Sequence, residues 1–263
     1  MLIHPNRAHD LRYGRTKKSP TPKIAVSDFV DVEKAAAVGF PIKEEQVVDL
    51  TTLIRSFAMF LNDTYGDCTC AGAAHAIQVF RALVGLPFTV TDADVLRMYE
   101  ASGFRPGNPS TDQGWTLQAA AEYLAKVGLQ GTPNIVASAA VSLTNLDEQQ
   151  VALELFGGLY EGCEVPQSAE TQYHEGKPWT VTSKESNIVG GHCITRPKNT
   201  LRVAGKHVTW GSLQEATEAW EKTYIDELMV FVPVDWEKQL PEYLLKAGIV
   251  DFSKLASLVT QFA

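Results

Sequence analysis

The chain has 263 residues, 45% of them hydrophobic and 21% charged, with a formal net charge of −8. A globular chain of that size buries enough apolar surface to fold without covalent staples, and four scattered cysteines are too few for a disulfide framework. The acidic balance argues against a general nucleic-acid binder, and no apolar run reaches the roughly 18–20 residues of a membrane span.

Residues 1–25 read as an extended basic arm. Prolines stand at 5, 20 and 22, and Arg7, Arg12, Arg15, Lys17, Lys18 and Lys23 face a single acid, Asp10. The stretch MLIHPNRAHDLRYGRTKK has no apolar core, so no secretory signal is expected. Such an arm either docks on its own acidic body or holds a partner subunit. Residues 26–240 form the main body. Within it, 26–56 are mixed, with VVDLTTLI (47–54) a short strand or a turn of helix, and 57–67 are a loop. A helix opens at Cys68 and ends at Gly85, before Pro87, with small residues at 70–74 that suit tight central packing. TVTDADVLRMYEAS (89–102) is a second helix with Thr91 or Asp92 as N-cap. FRPGNPSTDQG (104–114) is a loop, and WTLQAAAEYLAKVG (115–128) and DEQQVALELFGG (147–158) are helices.

The period then changes. LYEGCEVP (159–166), GGHCITRP (190–197), LRVAGKHVTWG (201–211) and ELMVFVPV (227–234) read as strands, with a helix expected over 212–226. Residues 241–263 form a helical tail. Helices first and sheet afterwards define an α+β layout.

The chemistry gathers at two places. In Asn62-Asp63-Thr64-Tyr65-Gly66-Asp67-Cys68 a side-chain amide precedes by six residues a cysteine that opens a helix. The free N–H groups there favour a thiolate, which makes a better nucleophile. The Asn62 amide and the Cys68 N–H can stabilise an oxyanion, and Gly66 lets the loop pass close to a substrate. In Gly190-Gly191-His192-Cys193 a histidine begins an apolar strand behind two glycines, with the open space a general base needs. His207-Val208-Thr209-Trp210-Gly211 follows on the next strand, where Trp210 can shield that histidine.

Together these segments resemble the papain-like cysteine peptidases. NDTYGDCTCAGAAH, GGHC and VTWG look like an uncharacterised group of papain-like proteins from bacteria and their phages. The resemblance implies a central helix bearing the nucleophile, packed on an antiparallel sheet. It also implies Cys68 as nucleophile, His192 as base and Asn62 as oxyanion donor. Gly66, Asp67, Gly114, Trp115, Gly191 and Trp210 would then line the substrate groove. No cofactor or metal is called for. A zinc site from Cys68, Cys70 and His75 lacks a second ligand pair. Cys70, Cys163 and Cys193 read as core residues, and His75 as a packing histidine.

One position departs from the pattern. Val208 stands where an Asn should orient the histidine, and strand alternation is expected to turn Thr209 and His207 elsewhere. Asn187, Asp226 or Glu227 are the candidates to replace it. The expected function is hydrolysis of a peptide or amide bond in a peptide or protein substrate. The alternatives are a catalytically silent scaffold, such as a phage virion component held through residues 1–25, or acyl transfer on the same Cys–His pair. The expected setting is cytoplasmic or within a virion, without nucleic acid or membrane as partner.

Overall fold

Strands that bury side chains on both faces need a layer of helices on each side. The computed structural model, which describes residues 9–16, 24–38, 47–182, 187–200, 204–240 and 242–262, has that arrangement. In chain order the elements are α1 (Val32–Ala37), β1 (Val47–Asp49), α2 (Cys68–Leu83), α3 (Asp92–Glu100), α4 (Leu117–Lys126), β2 (Ile135–Ala140), α5 (Leu146–Phe156), β3 (Leu159–Pro166), α6 (Gln167–His174), β4 (Ile188–Thr200), β5 (Ala204–Thr209), β6 (Ser212–Thr217), α7 (Glu218–Tyr224), β7 (Ile225–Pro233), α8 (Trp236–Gln239), α9 (Glu242–Ala247) and α10 (Phe252–Phe262). The sheet runs β2-β7-β3-β4-β5-β6 with β1 paired to β4, and every pairing is antiparallel.

Burial alternates along the central strands. On β7, Met229 and Phe231 pack with Tyr99 of α3 and with Leu117 and Leu124 of α4. Leu228, Val230 and Val232 join the opposite cluster, with Val151 and Phe156 of α5 and Trp236 of α8. The sheet therefore lies between α2–α4 on one face and α5–α8 on the other.

Helix α2 is buried along most of its length, and its small residues bring it close to the sheet. The Thr195 hydroxyl donates to the Gly72 carbonyl at 2.7 Å, and the Tyr160 hydroxyl donates to the Thr69 carbonyl at 2.7 Å. A Cβ on Gly72 would stand 2.8 Å from Cys193 Sγ. This contact fixes the start of α2 over β4.

Three elements depart from the sequence expectations. Residues 212–217 are strand, and the helix over 212–226 is confined to Glu218–Tyr224. The cause is the turn before them. Thr209 pairs with Ser212 across Trp210-Gly211, which both have positive φ (43° and 66°), the conformation of a two-residue hairpin. The short strand Ile135–Ala140 and the helix Gln167–His174 were not expected, because neither carries a strong apolar period. VVDLTTLI holds both candidate forms, a strand at Val47–Asp49 and a 3₁₀ turn at Thr51–Leu53.

Gly72→Ala is expected to destabilise the protein by about 1–3 kcal/mol through overpacking, despite alanine's better helix propensity. Removing the sulfur with Cys193→Ala should recover most of that loss. A double-mutant cycle in urea checks the coupling, and purely additive effects would contradict the contact.

Candidate active site

Cys68 is the first residue of α2, and its helix starts where Cys70 and Ala71 N–H groups donate to the Asp67 carbonyl at 2.8 and 3.0 Å. His192 stands on β4, facing the same side of the sheet as Cys163, its partner on β3. Cys68 lines one small cavity with Cys193, Thr209 and Trp210, so it lies beside the strand residue that follows His192. The structure does not bond Cys68 and His192 to each other. His192 Nδ1 has no hydrogen-bond partner among the described residues.

The other ring nitrogen is held. His192 Nε2 and the Thr209 hydroxyl share a hydrogen bond of 2.8 Å. Trp210 stacks on the ring, with centroids 4.2 Å apart and planes at 17°. Trp210 adopts a left-handed conformation at φ 43°, a strained state for an aromatic residue that places its indole on the histidine. This corrects the reading of Val208. Val208 pairs with Thr195, whose hydroxyl reaches Gly72, so Val208 faces α2. Alternation then puts Thr209, not Val208, on the His192 face. The candidates offered in place of the missing Asn lie elsewhere: Asp226 and Glu227 contact Arg15, and Asn187 is exposed, whereas the His192 ring is buried.

Asn62 follows two left-handed residues, Phe60 (φ 54°) and Leu61 (φ 68°), which turn the loop and leave the amide buried. Its Nδ2 donates to the Tyr65 carbonyl at 3.2 Å, so in this state it is committed to the loop. Asp67, directly before the nucleophile candidate, is fully buried, and burial pushes its carboxyl well above the usual range against the opposing Asn62 amide. Gly66 N–H donates to both oxygens of Asp112, at 3.1 and 3.2 Å. Tyr99 donates its hydroxyl to the same carboxylate and accepts the N–H of Gly114 at 3.0 Å. Asp112, Gly114 and Trp115 thus form one wall, braced through Asp112 to the Gly66 loop.

Residues of the N-terminal arm fill the space between these walls. Trp115 N–H donates to the Gly14 carbonyl at 2.7 Å, Thr16 N–H to the Trp115 carbonyl at 3.0 Å, and Arg15 N–H to the Gly191 carbonyl at 3.1 Å. Gly14 has no room for a side chain, since a Cβ there would lie 1.6 Å from the Gly66 carbonyl oxygen. A Cβ on Gly114 would lie 2.0 Å from the Gly14 oxygen, and one on Gly190 would strike the Tyr13 ring at 2.7 Å. Tyr13 donates its hydroxyl to Glu170 and lays its ring edge-on to His192, with centroids 5.8 Å apart. The open space expected behind the two glycines before His192 is therefore occupied by the chain itself. Tyr13 and Gly14 were not singled out from the sequence, and Arg15 was read only as one of the basic residues of the arm. The available signal was the recurrence of glycine at 14, 66, 114 and 190–191, wherever this segment passes.

Enclosure sets the electrostatics. Burial pushes the Cys68 thiol up to about 12, opposed by the N–H groups of Cys193 and Gly14 and by Arg15. This overturns the expectation of an acidified thiol at the helix start: in the covered site desolvation outweighs the helix terminus. Burial, with Arg15 adding to it, pulls His192 down to about 3, so the ring is neutral at pH 7. His75 binds the Ala58 carbonyl at 3.0 Å through Nε2 and packs on Phe57 and Phe60. Among the described residues no group of three or more His, Cys, Asp or Glu is placed to hold a metal ion. Cys70, Cys163 and Cys193 are buried free thiols.

A mixed sheet-and-helix architecture with a buried helix N-terminus opposite a strand-borne histidine is the papain-like fold. The crystal structure of xylellain, a cysteine protease from Xylella fastidiosa, matches it with a TM-score of 0.60 at 16% identity, over 85% of this chain and 97% of that one. Similarity at that identity establishes the fold, and the activity is argued from the site. No protein-family model matches the chain, and no curated protein matches it.

Two outcomes follow from the histidines. Thr209→Val leaves a buried ring nitrogen unpartnered and should cost about 1–3 kcal/mol, whereas Thr209→Ser should retain most of the stability. Chemical denaturation of both variants measures the difference. Burial lowers His75 to about 4, so between pH 6.5 and pH 4 the unfolded chain binds a proton there that the folded chain does not. Stability from this residue therefore falls as pH falls. His75→Gln should be more costly at pH 7 than at pH 5, and a cost independent of pH would refute the assignment.

Proposed function

We propose that this chain is a cysteine peptidase, or a related amide hydrolase, held latent by its own N-terminal arm. The observation that carries the reading is the path of residues 13–16. They pass between Trp115 and Gly191, with Gly14 packed on the Gly66 carbonyl two residues before Cys68, where an extended peptide substrate would lie. The Gly14 carbonyl is held by the Trp115 N–H at 2.7 Å, so the arm fills the cleft in a register that commits this carbonyl to the wall and not to Cys68.

With the arm displaced, water and substrate reach Cys68, and the desolvation that raises its pKa is relieved. His192 Nδ1, unpartnered in the closed state, then takes the thiol proton, while Thr209 holds Nε2 and Trp210 holds the ring plane. The thiolate attacks the carbonyl. The Cys68 N–H stabilises the oxyanion, joined by Asn62 Nδ2 once it leaves the Tyr65 carbonyl. His192 returns the proton to the leaving amine, and water releases the acyl group. Substrates of this reading are peptides or proteins, and the chemistry draws on no cofactor.

A second reading is a silent papain-like scaffold of the bacterial and phage group, such as a virion component. Its support is the closed geometry: thiol protonated, no Cys–His hydrogen bond, and an arm bound in the cleft. In that reading the arm could exchange its own cleft for a partner subunit.

Iodoacetamide labelling at neutral pH separates the two. Cys68 in the wild-type chain should react slowly. Gly14→Ala, which cannot seat the arm, should speed Cys68 labelling by more than tenfold over the other three cysteines. Adding His192→Ala should remove that gain. Equal, slow labelling of all four cysteines in Gly14→Ala would sink the peptidase reading.

A further inference from the structure

The arm's deepest contact is a side chain. The Arg15 side chain is 1% exposed, and its guanidinium meets three carboxylates: Asp226 at 2.6 Å and Glu227 at 3.2 Å through Nη2, and Glu164 at 3.9 Å through Nη1. They come from two strands, Glu164 from β3 and the other two from β7. Glu164 and Asp226 keep 45% and 41% of their side-chain surface exposed, so the pocket has a wet, acidic rim, while Glu227 lies at the floor with 4%.

The pocket has a shape as well as a charge. Gly162 on β3 lies under the guanidinium, and a Cβ there would stand 2.4 Å from Arg15 Nε and 2.7 Å from Cζ. A Cβ on Gly191 would stand 2.5 Å from the Arg15 carbonyl oxygen. Glycine at both positions leaves a slot for a flat group and for the backbone that carries it. Emptied of Arg15, this slot would present Glu164, Asp226 and Glu227 to an incoming cation. A planar fork bridging carboxylates on separate strands suits arginine better than lysine, whose ammonium is a single point charge.

We infer that this acidic slot is a recognition pocket for an arginine side chain of a peptide substrate, which the arm occupies by imitation. The inference rests on the peptidase reading for its use, though binding can be tested without turnover. The backbone anchors support it, since Trp115 and the Gly191 carbonyl bind main chain of any sequence and leave discrimination to the slot. A tethered arm acts at high effective concentration, so a free peptide competes only when the arm is displaced.

The test uses the full chain carrying Gly14→Ala, with Arg15→Ala as a second background should the first fail to fold. Binding of acetyl-Tyr-Gly-Arg-Thr-amide is compared with the same peptide carrying norleucine for arginine. Hydrolysis is followed with a fluorogenic peptide library holding Arg, Lys, norleucine or Glu at each position. The expected result is at least tenfold tighter binding of the arginine peptide and at least tenfold faster cleavage of peptides with arginine at one position near the scissile bond. Asp226→Asn with Glu227→Gln should reduce both preferences to less than threefold. Equal binding of the two peptides, or cleavage indifferent to arginine, overturns the pocket and leaves the peptidase reading standing. Selective binding without any cleavage overturns the peptidase reading and leaves the pocket standing.

Discussion

The buried guanidinium of Arg15 is the interaction on which the closed state depends. A charge at 1% exposure is tolerated only when it is paired, and here Asp226 and Glu227 supply the pairing. Burial alone would lower the Arg15 pKa, but attraction to Asp226, with Glu227 adding to it, reverses the direction and keeps the charge. Once Arg15 is seated, the rest of the arm has little choice. Its flanking peptides fall on Trp115 and Gly191, Gly14 falls against Gly66, and Tyr13 covers His192. The high pKa of Cys68 and the low pKa of His192 are consequences of that cover as much as of the fold beneath it.

The sequence carried the scaffold of the site well and its occupancy poorly. The helix opening at Cys68, the strand bearing His192 and the stacking of Trp210 are local features, and local patterns report them. The strand at 212–217 was hidden because SLQEAT has no marked β propensity and is held by its hairpin with β5. Thr209 was dismissed because alternation was counted from an assumed inward Val208, and a shift of one residue exchanges the faces of a strand. The arm was read as basic and extended, and residues 1–8 and 17–23 of it lie outside the described residues. What no local pattern contains is that Arg15 and Asp226, 211 positions apart in the chain, are ion-paired.

A second buried charge cluster lies beneath the same strands. His207 on β5 contacts Glu161 at 2.9 Å through Nδ1 and Glu221 at 3.0 Å through Nε2, and Arg196 on β4 contacts the same two carboxylates at 2.6 and 3.3 Å. Burial opposes the charge on His207, but the two glutamates raise its pKa overall. Protonated His207 makes the four groups neutral in sum, which is how such a cluster is tolerated in the interior. It ties β3, β4, β5 and α7 together, and His207 is two residues from Thr209 on the same face. The register of β5, and with it the hydroxyl that holds His192, is thereby fixed from below.

Two electrostatic devices of opposite character therefore bound the site. The lower one is closed and shared among four elements, so disturbing any member leaves a buried partner unpaired; it is a foundation. The upper one takes its arginine from a segment that enters from outside the sheet, and two of its three carboxylates, Glu164 and Asp226, reach solvent. A guanidinium held between a wet rim and a buried floor can leave without dismantling the strands that carry the carboxylates. That arrangement makes physical sense where the slot exchanges one arginine for another, with the arm as its resting occupant and Cys68 exposed only when the exchange is made.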